Sequence, residues 1–131
     1  MVQQGSILKV TDRTGVVLVQ CIKVLGSSKK GIAYLGDIIL VSVKKINTKQ
    51  FQGTALRKKR KFLKGTLHRG LIVRTKVNYK RLNGVFIKFN ENSLVLVNKR
   101  SVPISNRING PILKELCIKL PSIGCVTRFM I

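Results

Sequence analysis

The sequence is nearly empty of acids: Asp12, Asp37, Glu91 and Glu115 stand against 26 Lys and Arg residues, for a formal net charge of +22. A compact fold with that surplus repels itself unless a polyanion neutralises it. Nucleic acid is the usual polyanion, and an anionic membrane surface is the rival. Catalytic material is also scarce. The single histidine, His68, lies in a basic stretch with no carboxylate near it in sequence, so it reads as a phosphate or base contact and not as a general base. The glycines are isolated, unlike a phosphate-cradling loop, and there is no Cys/His spacing suited to zinc. No enzyme activity, cofactor, metal or small-molecule substrate is expected.

Cysteine, aromatics and long apolar runs are equally thin. Cys21, Cys117 and Cys125 are odd in number and follow no pairing pattern, which fits a reducing compartment and buried, unpaired thiols. Tryptophan is absent and aromatics make up 5% of the chain, without the clustering of a single-strand stacking platform. Phe86 and Phe89 are expected in or beside the core. Apolar runs such as Ile38 to Val41 fall far short of the ~20 residues that span a bilayer, and no long basic amphipathic helix is evident. Recognition-helix pairs, zinc fingers and heptads are missing too, which argues against major-groove DNA reading. Recognition of folded RNA by shape and phosphate remains.

Apolar residues make up 44% of the 131, enough for one domain with its own core. Strand signals dominate: Ile7 to Val10, Val16 to Val24, Ile38 to Val43, Leu71 to Val77, Val85 to Phe89 and Leu94 to Val97 are rich in Val, Ile and Leu. In the fourth, Leu71, Val73, Thr75 and Val77 would face a core while Ile72, Arg74 and Lys76 face solvent or phosphate. Asn83-Gly84 is expected to form a type I′ turn. Short strands without helical spacers predict a mainly β fold, a small closed barrel. One short helix is expected near the C-terminus, with Asn109 as cap, Pro111 in its first turn, and Ile112, Leu113 and Leu116 as its apolar stripe. The single domain then divides into a barrel over 1–110, with a basic insertion at about 44–69, and a helix and tail over 111–131. Val126 to Ile131 is open between strand and helix.

Several segments together resemble the universal large-subunit ribosomal protein fourteen family. They are Ile7 to Asp12 with Gly15, Cys21 to Gly26, Gly36 to Ile39 and Gly70 to Val73 running into Arg74-Thr75-Lys76. Asn83-Gly84, Phe89, Asn92 and Val95-Leu96 follow in order, then Arg107 to Pro111 and Lys114 to Leu116. The resemblance implies a five-stranded β-barrel with a β-ribbon hairpin and a short C-terminal helical part. It implies a structural constituent of the ribosome that binds large-subunit rRNA beside large-subunit ribosomal proteins three and nineteen. It also implies a place at the subunit interface, with bridges to small-subunit rRNA and docking of the anti-association silencing factor. Asn106 and Arg107 match the part of the family near that face. The stretch from Ile46 to Leu71 is longer and more basic than in bacterial members, and the tail after Leu116 diverges. With a start aligned to the family's and a chain rich in Ile, Leu, Lys and Asn, a mitochondrion-encoded copy is expected ahead of a plastid or bacterial one. Candidate phosphate contacts are Lys29, Lys30, Arg57, Lys58, Lys59, Arg60, Lys61, Arg69, Arg74, Lys76, Lys99 and Arg100. The rival function is that of an extraribosomal basic module binding RNA or another factor.

Overall fold

In a computed structural model the described residues are 1–26, 31–47 and 62–131. Five strands close a barrel: β1 (Ile7–Val10), β2 (Val16–Val24), β3 (Ile38–Ile46), β4 (Leu67–Arg74) and β7 (Ser93–Val97). Neighbours from β1 to β4, and β4 with β7, are antiparallel. Closure comes from a parallel pair, with Lys9 of β1 opposite Ser93 of β7. The barrel has no free sheet edge to attract other chains. Along β3, burial alternates so that Ile39, Val41 and Val43 point inward, the period-two pattern that β-branched residues favour.

Two cores share the β4–β7 wall. Ile72, Leu94 and Leu96 fill the barrel interior with Leu8, Val19, Ile39 and Val41. Leu71, Val73, Val95 and Val97 project outward into a second core with Ile108, Ile112, Leu113, Leu116 and Ile123. Covered on both faces, these strands read as unbroken apolar runs and not as alternation. Here the expectation for the fourth strand is corrected. Its second face is buried, and the strand spans Leu67–Arg74 instead of Leu71 to Val77.

The outer core is roofed by the C-terminal segment. β8 (Ile108–Ile112) pairs in parallel with β9 (Thr127–Met130), linked by α1 (Lys114–Lys119) and α2 (Pro121–Gly124). The helix expected around Asn109 and Pro111 therefore begins later. Asn109 and Pro111 lie in β8, and Leu113, at the N-cap, makes no side-chain cap bond. Val126 to Ile131, left open by its sequence, contains the strand β9.

The β-ribbon consists of β5 (Tyr79–Lys80) and β6 (Phe86–Ile87). Its turn differs from the type I′ expectation. Gly84 N–H donates to Arg81 O, Arg81 N–H donates to Val85 O, and of Asn83 and Gly84 only Gly84 has positive φ, at 82°. That is a three-residue loop closed by a left-handed glycine, with Asn83 Oδ1 accepting from Val85 N–H at 3.2 Å. Phe86 was expected in or near the core but is 61% exposed, because no layer among the described residues covers that face of the two-stranded ribbon; Phe89 is buried. Cys21 is buried, but Cys125 is exposed just past α2, whose inward residue is Ile123.

Candidate nucleic-acid interface

All four acids hold the framework together. Asp12 accepts Thr14 N–H at 2.9 Å, the Thr14 hydroxyl, and Leu96 N–H at 3.0 Å, tying the β1–β2 turn to β7. Asp37 accepts Tyr34 N–H at 2.7 Å. Glu91 takes Lys9 at 2.8 Å and Arg74 at 2.9 Å, and Glu115 takes Arg81 at 2.5 Å. The hydrogen bond from Lys9, with the charges of Lys9 and Arg74 behind it, holds Glu91 below the usual carboxylate range against the opposing effect of burial.

Burial pushes the Asp12 carboxyl above its ordinary 3.8, outweighing the bonds from Thr14 and Leu96. A raised acid binds its proton more tightly in the fold than in the unfolded chain. Its contribution is therefore complete below the unfolded pKa and is lost as pH rises through the folded one. Asp12→Asn cannot titrate, and its amide NH2 must face one of the donors that Asp12 now accepts. The variant is expected to be less stable by about 1–3 kcal/mol, with a gap to wild type that narrows as pH climbs above the ordinary aspartate range. Denaturant unfolding of both proteins across acidic to neutral pH checks this; a gap that widens with pH would contradict it.

The cations divide into two groups. Arg74 leaves the set of phosphate contacts: its side chain is 10% exposed and turned inward. Nε donates to Pro111 O at 3.1 Å, Nη2 to Asn109 O, and Nη1 to Glu91. The alternation read on β4 fails here: Ile72 points into the barrel, and a register shift between Ile72 and Arg74 lets Arg74 reach β8 instead of solvent. Desolvation lowers the Arg74 pKa, and Glu91 partly restores it.

Arg69, Lys99 and Arg100 are exposed and come together. Arg69 pairs with Val97 across β4–β7, and its Nη1 donates to Lys99 O at 3.3 Å. A tight turn holds the two cations that follow β7: Ser101 N–H donates to Asn98 O, Asn98 N–H donates to Val102 O, and Ser101 takes φ of 61°. Lys76 is exposed beyond the other end of β4, roughly 20 Å away at the rise of a strand. The His68 ring packs tilted against Phe62, with centroids 4.9 Å apart, and shares a hydrogen bond with Thr66, which gives it a framework role. Lys29, Lys30, Arg57, Lys58, Lys59, Arg60 and Lys61 lie outside the described residues. The flanks of the expected basic insertion are strand, since Lys44 and Lys45 stand exposed on β3.

Asn106 is exposed and Arg107 half-buried in the segment leading into β8. Two cations that the sequence did not single out, Arg13 and Arg128, sit beside Arg107, and both act on its charge. Only strand pairing brings the three together, so no local motif could have signalled them.

Fold and site define a basic barrel whose acids are spent internally and whose exposed cations, among the described residues, stand on strands and short turns. The sequence matches the family described as ribosomal protein L14p/L23e over residues 1–130, and the chain belongs to that family. It is accordingly a structural constituent of the ribosomal large subunit, non-enzymatic, with ribosomal RNA and ribosomal proteins as the partners that membership implies.

Proposed function

We propose that the chain binds large-subunit rRNA through phosphates and lies at the subunit interface, where it contributes to bridges with small-subunit rRNA. The carrying observation is the fate of the acids. Every carboxylate side chain is engaged by the chain's own framework, so the surplus of +22 is left for a partner. Counterion release on phosphate binding then drives association, and the closed barrel fixes the geometry. Arg69, Lys99 and Arg100 form one contact corner and Lys76 a separate contact. The segment with Asn106 and Arg107 forms the interface face, which is also where the silencing factor docks. Large-subunit proteins three and nineteen are the neighbours, and the ribosome is that of a mitochondrion.

The test is sedimentation of tagged protein from fractionated cells. The tag is expected in the mitochondrial fraction, tracking the large subunit and assembled ribosomes. Tag confined to light fractions would remove the ribosomal placement in favour of an extraribosomal role. Tag on ribosomes elsewhere in the cell would remove the mitochondrial one.

A further inference from the structure

Three stretches distant in sequence run side by side next to the barrel mouth. Asp12 bridges Ile108 in antiparallel fashion, and Asn109 N–H donates to Thr11 O at 2.8 Å. On the other side, Ile108 N–H donates to Val126 O at 3.2 Å and Ile108 pairs with Thr127. The middle stretch is thus held by both neighbours. Antiparallel pairing of Asp12 with Ile108 sets Arg13 opposite Arg107, while Arg128 directly follows the residue paired on the far side. The Ser105 hydroxyl fastens the first two, accepting Arg13 N–H at 3.1 Å and Arg107 N–H at 3.4 Å.

The convergence is costly as it stands. Loss of solvent holds the Arg107 guanidinium below the usual arginine range, and repulsion from Arg128 and then Arg13 pushes it the same way. Arg107 Nε is buried and has no hydrogen-bond partner among the described residues. Nor does any carboxylate relieve the three. The ion pairs of Glu91 and Glu115 go to Lys9, Arg74 and Arg81, and the Asp12 oxygens are taken by Thr14 and Leu96.

We propose that Arg13, Arg107 and Arg128 form one oxyanion site that grips a phosphodiester of the RNA backbone. Guanidinium forks present paired N–H donors that match two phosphate oxygens, and one anion among three such groups turns repulsion into attraction. The site rests on the rRNA-binding reading above and adds to it a defined contact built from residues on both sides of Arg107.

Two measurements on the full chain test it. In thermal unfolding, inorganic phosphate is expected to raise the midpoint of the wild type above that in chloride of equal ionic strength. Arg13→Gln/Arg128→Gln is expected to lose at least half of that gain, and in chloride to melt no lower than wild type, since repulsion is relieved. Lys23→Gln/Lys119→Gln, which removes the same charge elsewhere, keeps the gain. In binding to a small-subunit rRNA fragment from the subunit interface, the salt slope of the arginine double variant is expected to fall by ~0.7–0.9, the value of one phosphate. The single variant Arg128→Gln, on the exposed end strand, serves as a milder second probe. A full phosphate gain with an unchanged slope in both arginine variants would overturn the site while leaving rRNA binding intact. If the wild type fails to bind the fragment, the bridge reading falls and the phosphodiester assignment with it. A phosphate gain that persists in that case reassigns the cluster to free phosphate.

Discussion

Arg74→Met is expected to lower the unfolding free energy by about 3 kcal/mol, which moves the melting midpoint by on the order of 10 °C. The methionine chain can fill most of the volume but donates nothing. Pro111 O and Asn109 O then lose the guanidinium they share, and Glu91 keeps only Lys9. Each of these part-buried acceptors left unmade costs about 1–2 kcal/mol; the Glu91 pair adds less, because Glu91 is about one-third exposed. Arg74→Lys is expected to recover little, since one ammonium cannot reach two carbonyls and a carboxylate with a planar fork's geometry. Hydrogen exchange is expected to show β8 and the two C-terminal helices losing protection before the barrel strands, because Arg74 joins β4 to β8. A variant within ~0.5 kcal/mol of wild type, the range of an ordinary surface change, would show that the guanidinium is not the tie described.

Arg69→Gln/Lys99→Gln/Arg100→Gln is expected to have the opposite profile, near-native stability and strongly weakened RNA binding. The three side chains are exposed, and surface substitutions of this kind usually change stability by less than ~0.5 kcal/mol each. If each contacts one phosphate, the slope of log K against log salt should fall by roughly 2–3. At about 0.1 M salt the counterion term alone is worth roughly tenfold per contact, so the triple variant should bind several hundred times more weakly. Titrating a large-subunit rRNA fragment with both proteins at several salt concentrations gives slope and affinity together. An unchanged slope would move the phosphate contacts away from this corner without touching family membership.

Much of the barrel was legible in the sequence. β1 and β2 have the expected bounds, and β3 and β7 differ from expectation only at one end, because β-branched runs between turn residues have few alternatives. The first half of β4 was not legible. Leu67-His68-Arg69 looks like part of a basic loop, yet Arg69 is held between Leu40 on β3 and Val97 on β7. Asn109-Gly110-Pro111 misled for a similar reason. The trio suits a helix start, but pairing with β9 draws it into a strand, and Gly110 takes φ of 87° where a Cβ would strike the Arg74 guanidinium. Local preference yields when partners far along the chain supply the hydrogen bonds and the cover.

The sequence by itself determined the charge imbalance, the strand-rich character and the family, because these are sums or patterns along the chain and need no knowledge of neighbours. Tertiary structure alone decided where the described cations stand and which of them share a surface. Arg74 and Arg81 became struts because their pairing sets them beside carbonyls and carboxylates. Arg69, Lys99 and Arg100 became an outward corner because β4 and β7 meet there. Arg13, Arg107 and Arg128 became one cluster through two strand pairings. The physical reason is that a charge acts over a few ångströms of space, and pairing register, not sequence separation, determines which charges share that space.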